Sequence, residues 1–365
     1  MTDASKISHP NSIVYIAICS SETSPGVKKK VIGFTGGASK NGYKSRAVTI
    51  RPDGFQGVKA YIREIILAKE DYVVVRYLPK IAPVFFFLGF YLKIFKRKLI
   101  IDVPTPMKNH LEEISSIDAA ILKRIILKAW IYLMGSFPFL SAYRVIQYAR
   151  EGFIFSMFVK NKNILVGNGV DVESIHCREA APDWPNTQLN LVAVGTIAFW
   201  HGWDKLIDVI DDLNKDKTLS YAINLTIVGE GPDLHLLKQQ VDVKDLSSHV
   251  KFTGFLEGKQ LYDIYEASHL GVGSLGWERI GVNIASPLKS REYLAAGLPF
   301  FYSTADVDFS VSDNCALFIN AQEDNEEIKD FFRQISLSKL PSPQNCRNVA
   351  EERLDFSQKI AEVLS

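Results

Sequence analysis

The sequence predicts an α/β protein of two Rossmann-like, doubly wound units. Three observations predict it. The chain has 365 residues, which suits two domains better than one. Apolar runs rich in β-branched residues alternate with helical patterns through both halves, and such alternation builds parallel sheets covered on both faces. A polar stretch without periodicity, residues 172–188, separates the halves. The expected organisation is a first domain over 1–172, a second over 173–345 and a final helix, 346–365, packing back toward the first.

In the first half the apolar run 13–18 (IVYIAI) reads as a buried strand. Ser24-Pro25 then gives a cap followed by proline at the first helical position. That helix runs to Lys40, where Asn41-Gly42 stops it. Strands follow at 46–50, 72–76, 98–103 and 143–147, with helices over 57–69, 80–95 and 117–139. Further on, strands are expected at 163–166, 189–195, 223–228, 250–253, 270–273 and 298–302. Helices are expected at 203–214, 232–242, 258–267 and 287–296, with a pair near 323–336 and 347–364.

Composition excludes several classes. With 47% hydrophobic and 23% charged residues the chain is globular, not disordered or fibrous. The four cysteines, Cys19, Cys177, Cys315 and Cys346, lie far apart without a CxxC pair, against a zinc ribbon or a disulfide scaffold. Reduced thiols and an N-terminus lacking a basic-then-apolar leader pattern point to the cytoplasm. The net charge of +1 hides an asymmetry: residues 1–175 hold 25 Lys/Arg against 13 Asp/Glu, and the remainder holds 17 against 28. A lobe that basic suits an anionic partner, nucleic acid or lipid.

Two motifs need weighing. GFTGG (33–37) is neither a Walker A sequence nor a GxGxxG directly after a strand, so its glycines read as small packing positions in the first helix. The segment 286–299, SPLKSREYLAAGLP, reads as a helix capped by Ser286, opened by Pro287 and closed by Gly297. Such a start offers N–H groups and a positive dipole end to an anion, with Lys289 and Arg291 nearby and Glu292 in the second turn. The plainer reading is a capped surface helix with a solvated Lys-Arg-Glu run.

Four stretches, taken in order over residues 168–300, carry a resemblance. They are Asn168-Gly169-Val170-Asp171, GTIAFWHGWDKLIDVI (195–210), TIVGEGPDLHLLKQQV (226–241), and FTGFLEGKQLYDIYEASHLGV (252–272) leading into PLKSREYLAAGLPF (287–300). The set resembles the C-terminal domain of family 4 glycosyltransferases, retaining enzymes of the GT-B fold, of the bacterial surface-polysaccharide type. In that fold two Rossmann-like domains face a central cleft. The resemblance implies that Glu292 holds the donor ribose, a task suited to a carboxylate that accepts two hydrogen bonds. It implies that Gly195 and Thr196 approach the donor diphosphate and that Gly229, Glu230, Gly231 and Pro232 lie under the nucleoside. Phe255 and Leu256 match positions flanking the base.

The departures bear on charge. Ile284 stands where the family's first motif glutamate contacts the donor sugar, so either the sugar is held differently or Glu278 substitutes. Thr196 and His201 stand where the family has Arg and Lys. His201 can donate to phosphate, or can simply pack beside Trp200 and Trp203. Lys205, Arg279 and Lys289 are the other cations available to two phosphates. Glu292, Glu278, Arg279 and His201 are therefore the catalytic candidates.

The first half resembles the family more weakly. SSETSPGVKKKVIGF (20–34) is similar to its first loop and helix, which places Gly26 at donor phosphate or acceptor. VRYLP (75–79) and DVPTP (102–106) end strands, so Arg76, Asp102 and Thr105 are acceptor-side candidates, or loop residues with no role. Residues 83–98 and 121–140 mix apolar side chains with Lys and Arg. Neither makes a clean span of about 20 apolar residues. A helix in the headgroup region of an anionic membrane fits them, as does an ordinary buried helix with a charged end. No nucleic-acid motif is present.

The resulting expectation is a peripheral membrane glycosyltransferase on the cytoplasmic face. It moves sugar from a nucleoside-diphosphate-sugar to a lipid-linked glycan, as in capsule or O-antigen assembly. The resemblance implies no obligate metal and no other cofactor. It implies too that the leaving phosphate helps deprotonate the acceptor. A non-catalytic GT-B subunit partnering another transferase, and a GT-B nucleotide-sugar epimerase, are the alternatives.

Overall fold

The structure, a computed structural model, describes residues 11–20, 25–107, 110–111, 114, 120–151, 153–159, 161–182, 187–216, 219–321, 325–335 and 340–365. Ser24 and residues 117–119, 183–186, 323–324 and 336, which enter the sequence expectations above, lie outside them. The chain forms two compact units. Unit 1 runs to Asp171 and takes back Asp355–Ser365; unit 2 is Val172–Leu354.

Unit 1 contains β1 (Ser12–Ile18), α1 (Pro25–Lys40), β2 (Lys44–Ile50), α2 (Gly54–Leu67), β3 (Tyr72–Arg76), α3 (Ala82–Ile94), β4 (Lys98–Val103), α4 (Ile121–Met134), β5 (Arg144–Gln147), α5 (Phe153–Ser156) and β6 (Asn163–Leu165). The sheet order is β2-β1-β3-β4-β5-β6, with parallel pairing throughout. Five consecutive residues of β1 are buried because helices cover both faces, which is why the strand reads as an unbroken apolar run. Edge strand β2 alternates and is partly exposed, as its sequence KSRAVTI requires. The Gly-rich string lies inside α1. A Cβ at Gly33 would stand 2.1 Å from the Phe356 ring, and one at Gly37 would stand 2.5 Å from the Phe356 carbonyl carbon. Those glycines let the C-terminal helix pack against α1.

That C-terminal segment departs from the single helix expected over 347–364. It is a helix at Pro343–Val349, a π-helical turn at Ala350–Leu354, and then a helix at Phe356–Leu364. Asp355 between them is extended and caps the last helix through Ser357 N–H at 2.8 Å. The break lets the chain leave unit 2 and return Phe356, Ile360 and Val363 to the core of unit 1. The helix expected over 117–139 ends at Met134, and a 3₁₀ turn, Phe137–Leu140, follows around Pro138.

Unit 2 contains β7 (Gln188–Val194), α6 (Trp203–Lys215), β8 (Ala222–Val228), α7 (Leu234–Val243), β9 (Val250–Gly254), α8 (Gly258–Glu266), β10 (Leu270–Val272), α9 (Leu288–Ala295), β11 (Phe300–Tyr302), β12 (Ala316–Phe318), α10 (Glu326–Gln334) and α11 (Pro343–Val349). Its parallel sheet has the order β12-β11-β10-β7-β8-β9. β12, three residues long, was not legible in the sequence. The order reverses direction between β7 and β10. In open sheets of this kind a crevice forms at the carboxyl ends of the strands flanking that reversal.

Candidate functional site

The carboxyl ends of β7, β8 and β10 interlock through glycine. Gly229, after β8, has φ +138°, and a Cβ there would lie 2.0 Å from the Gly195 carbonyl oxygen after β7. Gly202 has φ +66° and opens α6; a Cβ there would lie 2.7 Å from the Leu275 backbone after β10. No side chain fits at either place, so the three loops form one backbone floor. Ile197 N–H donates to the Glu230 carbonyl at 2.9 Å and Gly195 N–H to that of Val228 at 3.0 Å. The residues expected at the diphosphate and nucleoside are thereby brought together: Gly195 and Thr196 beside Gly229, Glu230, Gly231 and Pro232. The Glu230 carboxylate faces Gly254 at the end of β9, next to exposed Phe255 and half-buried Leu256.

Helix α9 is clamped onto this floor. The Val194 N–H donates to the Tyr293 hydroxyl at 2.9 Å, and that hydroxyl lies 3.2 Å from the Val272 carbonyl. Gly271 leaves room for the Tyr293 ring. The N-cap is Pro287, with no side-chain cap bond, which corrects the expectation that Ser286 caps and Pro287 opens the helix. Glu292 in its second turn is half-buried. Lys289 and Arg291 are not a solvated run: both are buried, Arg291 completely. Arg291 forks onto Asp306 and Asp308, and these carboxylates hold it protonated against its burial.

His201 is the centre of a second cluster. It ends a 3₁₀ turn, Phe199–His201, and stacks on Trp203 with ring centroids 4.9 Å apart. Its Nδ1 lies 2.8 Å from Ser274 Oγ and 3.2 Å from Lys289 Nζ, and the ring also bonds the Thr196 backbone. Burial, with the Lys289 ammonium beside it, pushes His201 down to about 2, so it is neutral. Lys289 sits over the Trp203 ring at 4.8 Å, and burial lowers it to about 7. Ser274, which the sequence reading missed, also lines a small pocket with Trp277, Pro287, Ser290, Thr304 and Asp306. Trp277 Nε1 in that wall is buried without a hydrogen-bond partner.

The other acid and base candidates neutralise one another. Lys205 Nζ meets Glu278 Oε1 at 2.6 Å, and Arg279 forks onto Asp204 with two bonds of 2.8 Å. Ile284 forms an isolated bridge to Ala305.

In unit 1 the acceptor-side candidates split. Gly26 and Thr105 are half-buried loop or helix-start residues. Asp102, completely buried at the end of β4, gathers Lys30 at 3.1 Å, Tyr148 hydroxyl at 2.7 Å, the Tyr15 hydroxyl, and Arg76 at 3.7 Å. Burial alone would raise its carboxyl; Lys30, Arg76 and the two hydroxyls reverse this and hold it below the ordinary carboxylate range. Lys30 is lowered by burial to about 8, with Asp102 opposing.

Residues 178–352 match the family model described as Glycosyl transferases group 1. No curated protein sequence matches the chain. Solved structures similar along nearly the whole chain include sucrose-phosphate synthase from Thermosynechococcus elongatus, with TM-score 0.68 and 12% identity over 97% of this chain and 98% of that one. A glycosyltransferase from Rickettsia africae gives TM-score 0.63 and 12% identity over 98% and 97%. The lipopolysaccharide outer core galactosyltransferase WaaB gives 0.60 and 10% over 97% and 99%. The fold is GT-B, and with the matched segment it defines the class: a transferase enzyme of the glycosyltransferase type.

Proposed function

We propose that the protein is a retaining glycosyltransferase that moves a sugar from a nucleoside-diphosphate-sugar to a lipid-linked glycan at an anionic membrane surface. The observation that carries the donor half is the backbone floor at the β7/β10 reversal. Gly195, Thr196 and Gly229–Pro232 converge there, and the start of α9 is tied to the same floor by Lys289 on His201 and Tyr293 on Val194. Backbone N–H groups and a helix start suit a diphosphate. A carboxylate in the second turn suits ribose hydroxyls, and exposed Phe255 suits the face of a base.

The acceptor half is assigned to unit 1, whose basic charge and surface support it. Phe87, Ile94, Ile121, Leu122 and Leu133 on α3 and α4 are each more than two-thirds exposed, among Lys93, Lys96, Arg97, Lys123 and Lys128. Among the described residues no helix is long and apolar enough to cross a membrane. A face that is both apolar and cationic suits the headgroup region of anionic lipid. Surface-polysaccharide assembly, with its lipid-linked intermediates, is the setting this combination fits.

The test is thermal stabilisation against UDP, GDP, dTDP, ADP and CMP, followed by turnover with the matching sugar donor. One nucleotide at about a hundred times its dissociation constant is expected to add roughly 2.7 kcal/mol of stability. Glu292→Ala is expected to remove turnover with the melting temperature of the free protein unchanged. No shift with any nucleotide overturns the donor site. Unchanged turnover in the variant overturns the role of Glu292.

A further inference from the structure

We propose that Lys289 supplies the positive charge that neutralises the ligand's diphosphate, in place of the basic side chains whose positions Thr196 and His201 occupy. This rests on the reading of unit 2 as the nucleotide site.

A diphosphate needs cations, and the other cations near this floor are already matched. Lys205 is held by Glu278, Arg279 by Asp204, and Arg291 by Asp306 and Asp308. Lys289 has no carboxylate within ion-pair distance among the described residues. Its hydrogen-bond partner is the neutral ring of His201, and beneath it lies the face of Trp203. A buried ammonium without a counter-ion is costly to a fold and is kept where a ligand supplies the charge. The place is right as well. Lys289 lies in the first turn of α9 and reaches His201, whose ring bonds the Thr196 backbone on the exposed loop after β7. The lysine thus arrives from α9 at the position that the loop no longer furnishes from its own sequence. The adjoining pocket adds the unpartnered Trp277 Nε1–H, beside the Ser274 hydroxyl that bonds His201. The one carboxylate in that wall, Asp306, is already matched by Arg291, so Trp277 Nε1–H is the donor there left for an anion.

A proton linkage follows. The groups facing Lys289 are the His201 imidazole from the loop after β7, the Trp203 ring from α6, and Ser274 near His201 from the loop after β10. On α9 itself its neighbours are Arg291, already paired, and half-buried Glu292. Burial lowers the lysine to about 7 in the free protein, so at pH 8 most of it is uncharged. A phosphate beside it favours the ammonium, so above about pH 7 binding takes a proton from solvent.

The experiment is titration calorimetry on the full chain at pH 8, in two buffers of different ionisation enthalpy. The ligands are the nucleoside diphosphates, their parent nucleosides and inorganic pyrophosphate. At this pH the terminal phosphate, with a second pKa near 6, is already ionised. The wild type is expected to take up close to one proton per diphosphate bound and none per nucleoside. Lys289→Met is expected to bind the diphosphate about a hundredfold more weakly, without proton uptake, and the nucleoside as the wild type does. Diphosphate binding by the wild type without proton uptake overturns the linkage and needs no variant. Equal diphosphate affinity in a Lys289→Met protein that melts as a folded chain overturns the assignment of the cation. If the wild type binds none of the diphosphates, the nucleotide-site reading falls and this inference with it.

Discussion

Lys205 Nζ and Glu278 Oε1 meet at 2.6 Å between the first turn of α6 and the 3₁₀ turn Trp277–Ile280 after β10, and the lysine also donates to the Ala321 carbonyl at 3.2 Å. Two residues that the sequence offers as separate donor-site groups are therefore spent on each other and on holding loops. Glu278→Gln keeps the shape and removes the charge. Its expected effect is a loss of about 1 kcal/mol of stability, in the range of a partly exposed pair. Its expected effect on kcat/KM is less than tenfold. Steady-state kinetics beside Glu292→Ala check it; a Glu278→Gln loss as large as that of Glu292→Ala would mean that Glu278 touches the donor sugar.

Asp102 carries a different prediction. All four of its partners are cationic or phenolic groups, and two of them, buried Lys30 and half-buried Arg76, keep their charge requirement if the carboxylate goes. Breaking a buried pair from one side costs about 3–5 kcal/mol. Asp102→Asn is expected to lose that much in urea denaturation. The sign of the pH effect follows from the depressed carboxyl. The unfolded chain holds its proton to a higher pH than the native state does, so the contribution is complete above the ordinary carboxylate range. It is lost as pH falls through the native value. Wild type and variant should therefore converge in stability at acid pH and differ most near neutrality. A constant difference across pH would place the defect in packing.

Much of the fold was legible because its signals are local. Strand β1 is an apolar run, and Gly42, with φ +80°, stops α1 as the Asn-Gly pair implies. Gly33 and Gly37 of GFTGG are packing positions, as their lack of a nucleotide-loop context suggested, although Phe356 could not be named as what they admit, whereas Gly36 faces open space. What was not legible depends on residues far apart in the chain. Tyr15, Lys30 and Tyr148 lie 87, 72 and 46 positions from Asp102. The run Lys289-Ser290-Arg291 looks solvated because nothing local says that Asp306 and Asp308 will fold back over Arg291. Ser274 had one available signal, a small polar residue two positions after a short apolar strand, beside Gly195 when the β7–β10 register is continued.

Membrane docking gives a third expectation. Lys123 is exposed and Lys128 half-buried on α4, beside the exposed Ile121, Leu122 and Ile125. Each basic group near an anionic surface contributes about 1 kcal/mol. Lys123→Glu/Lys128→Glu replaces two attractions with two repulsions, so binding to vesicles rich in phosphatidylglycerol should fall at least a hundredfold. Binding to neutral vesicles, which rests on the apolar side chains, should change little, and added salt should shrink the difference. Co-sedimentation measures both. Equal loss on the two vesicle types would show that the helix itself is damaged.

The last prediction concerns the free protein and needs no ligand. Lys289 titrates at about 7 in the native state and at 10.5 as an unperturbed side chain. Between those values the unfolded chain carries a proton that the native chain lacks, so stability must rise with pH across that window. Below about pH 7 both states are protonated and the native state bears the full cost of a buried ammonium. The slope contributed is roughly 1 kcal/mol per pH unit. Lys30, lowered to about 8, adds a term of the same sign over a narrower range, so the wild-type curve alone cannot isolate either residue. Lys289→Met can, because methionine fills the same space beside Trp203 without titrating. The stability of the variant minus that of the wild type, from urea midpoints at pH 7, 8 and 9, should be largest at pH 7 and shrink steadily toward pH 9. A difference that does not change with pH would mean that Lys289 is an ordinary ammonium in the native state, with a counter-charge close by.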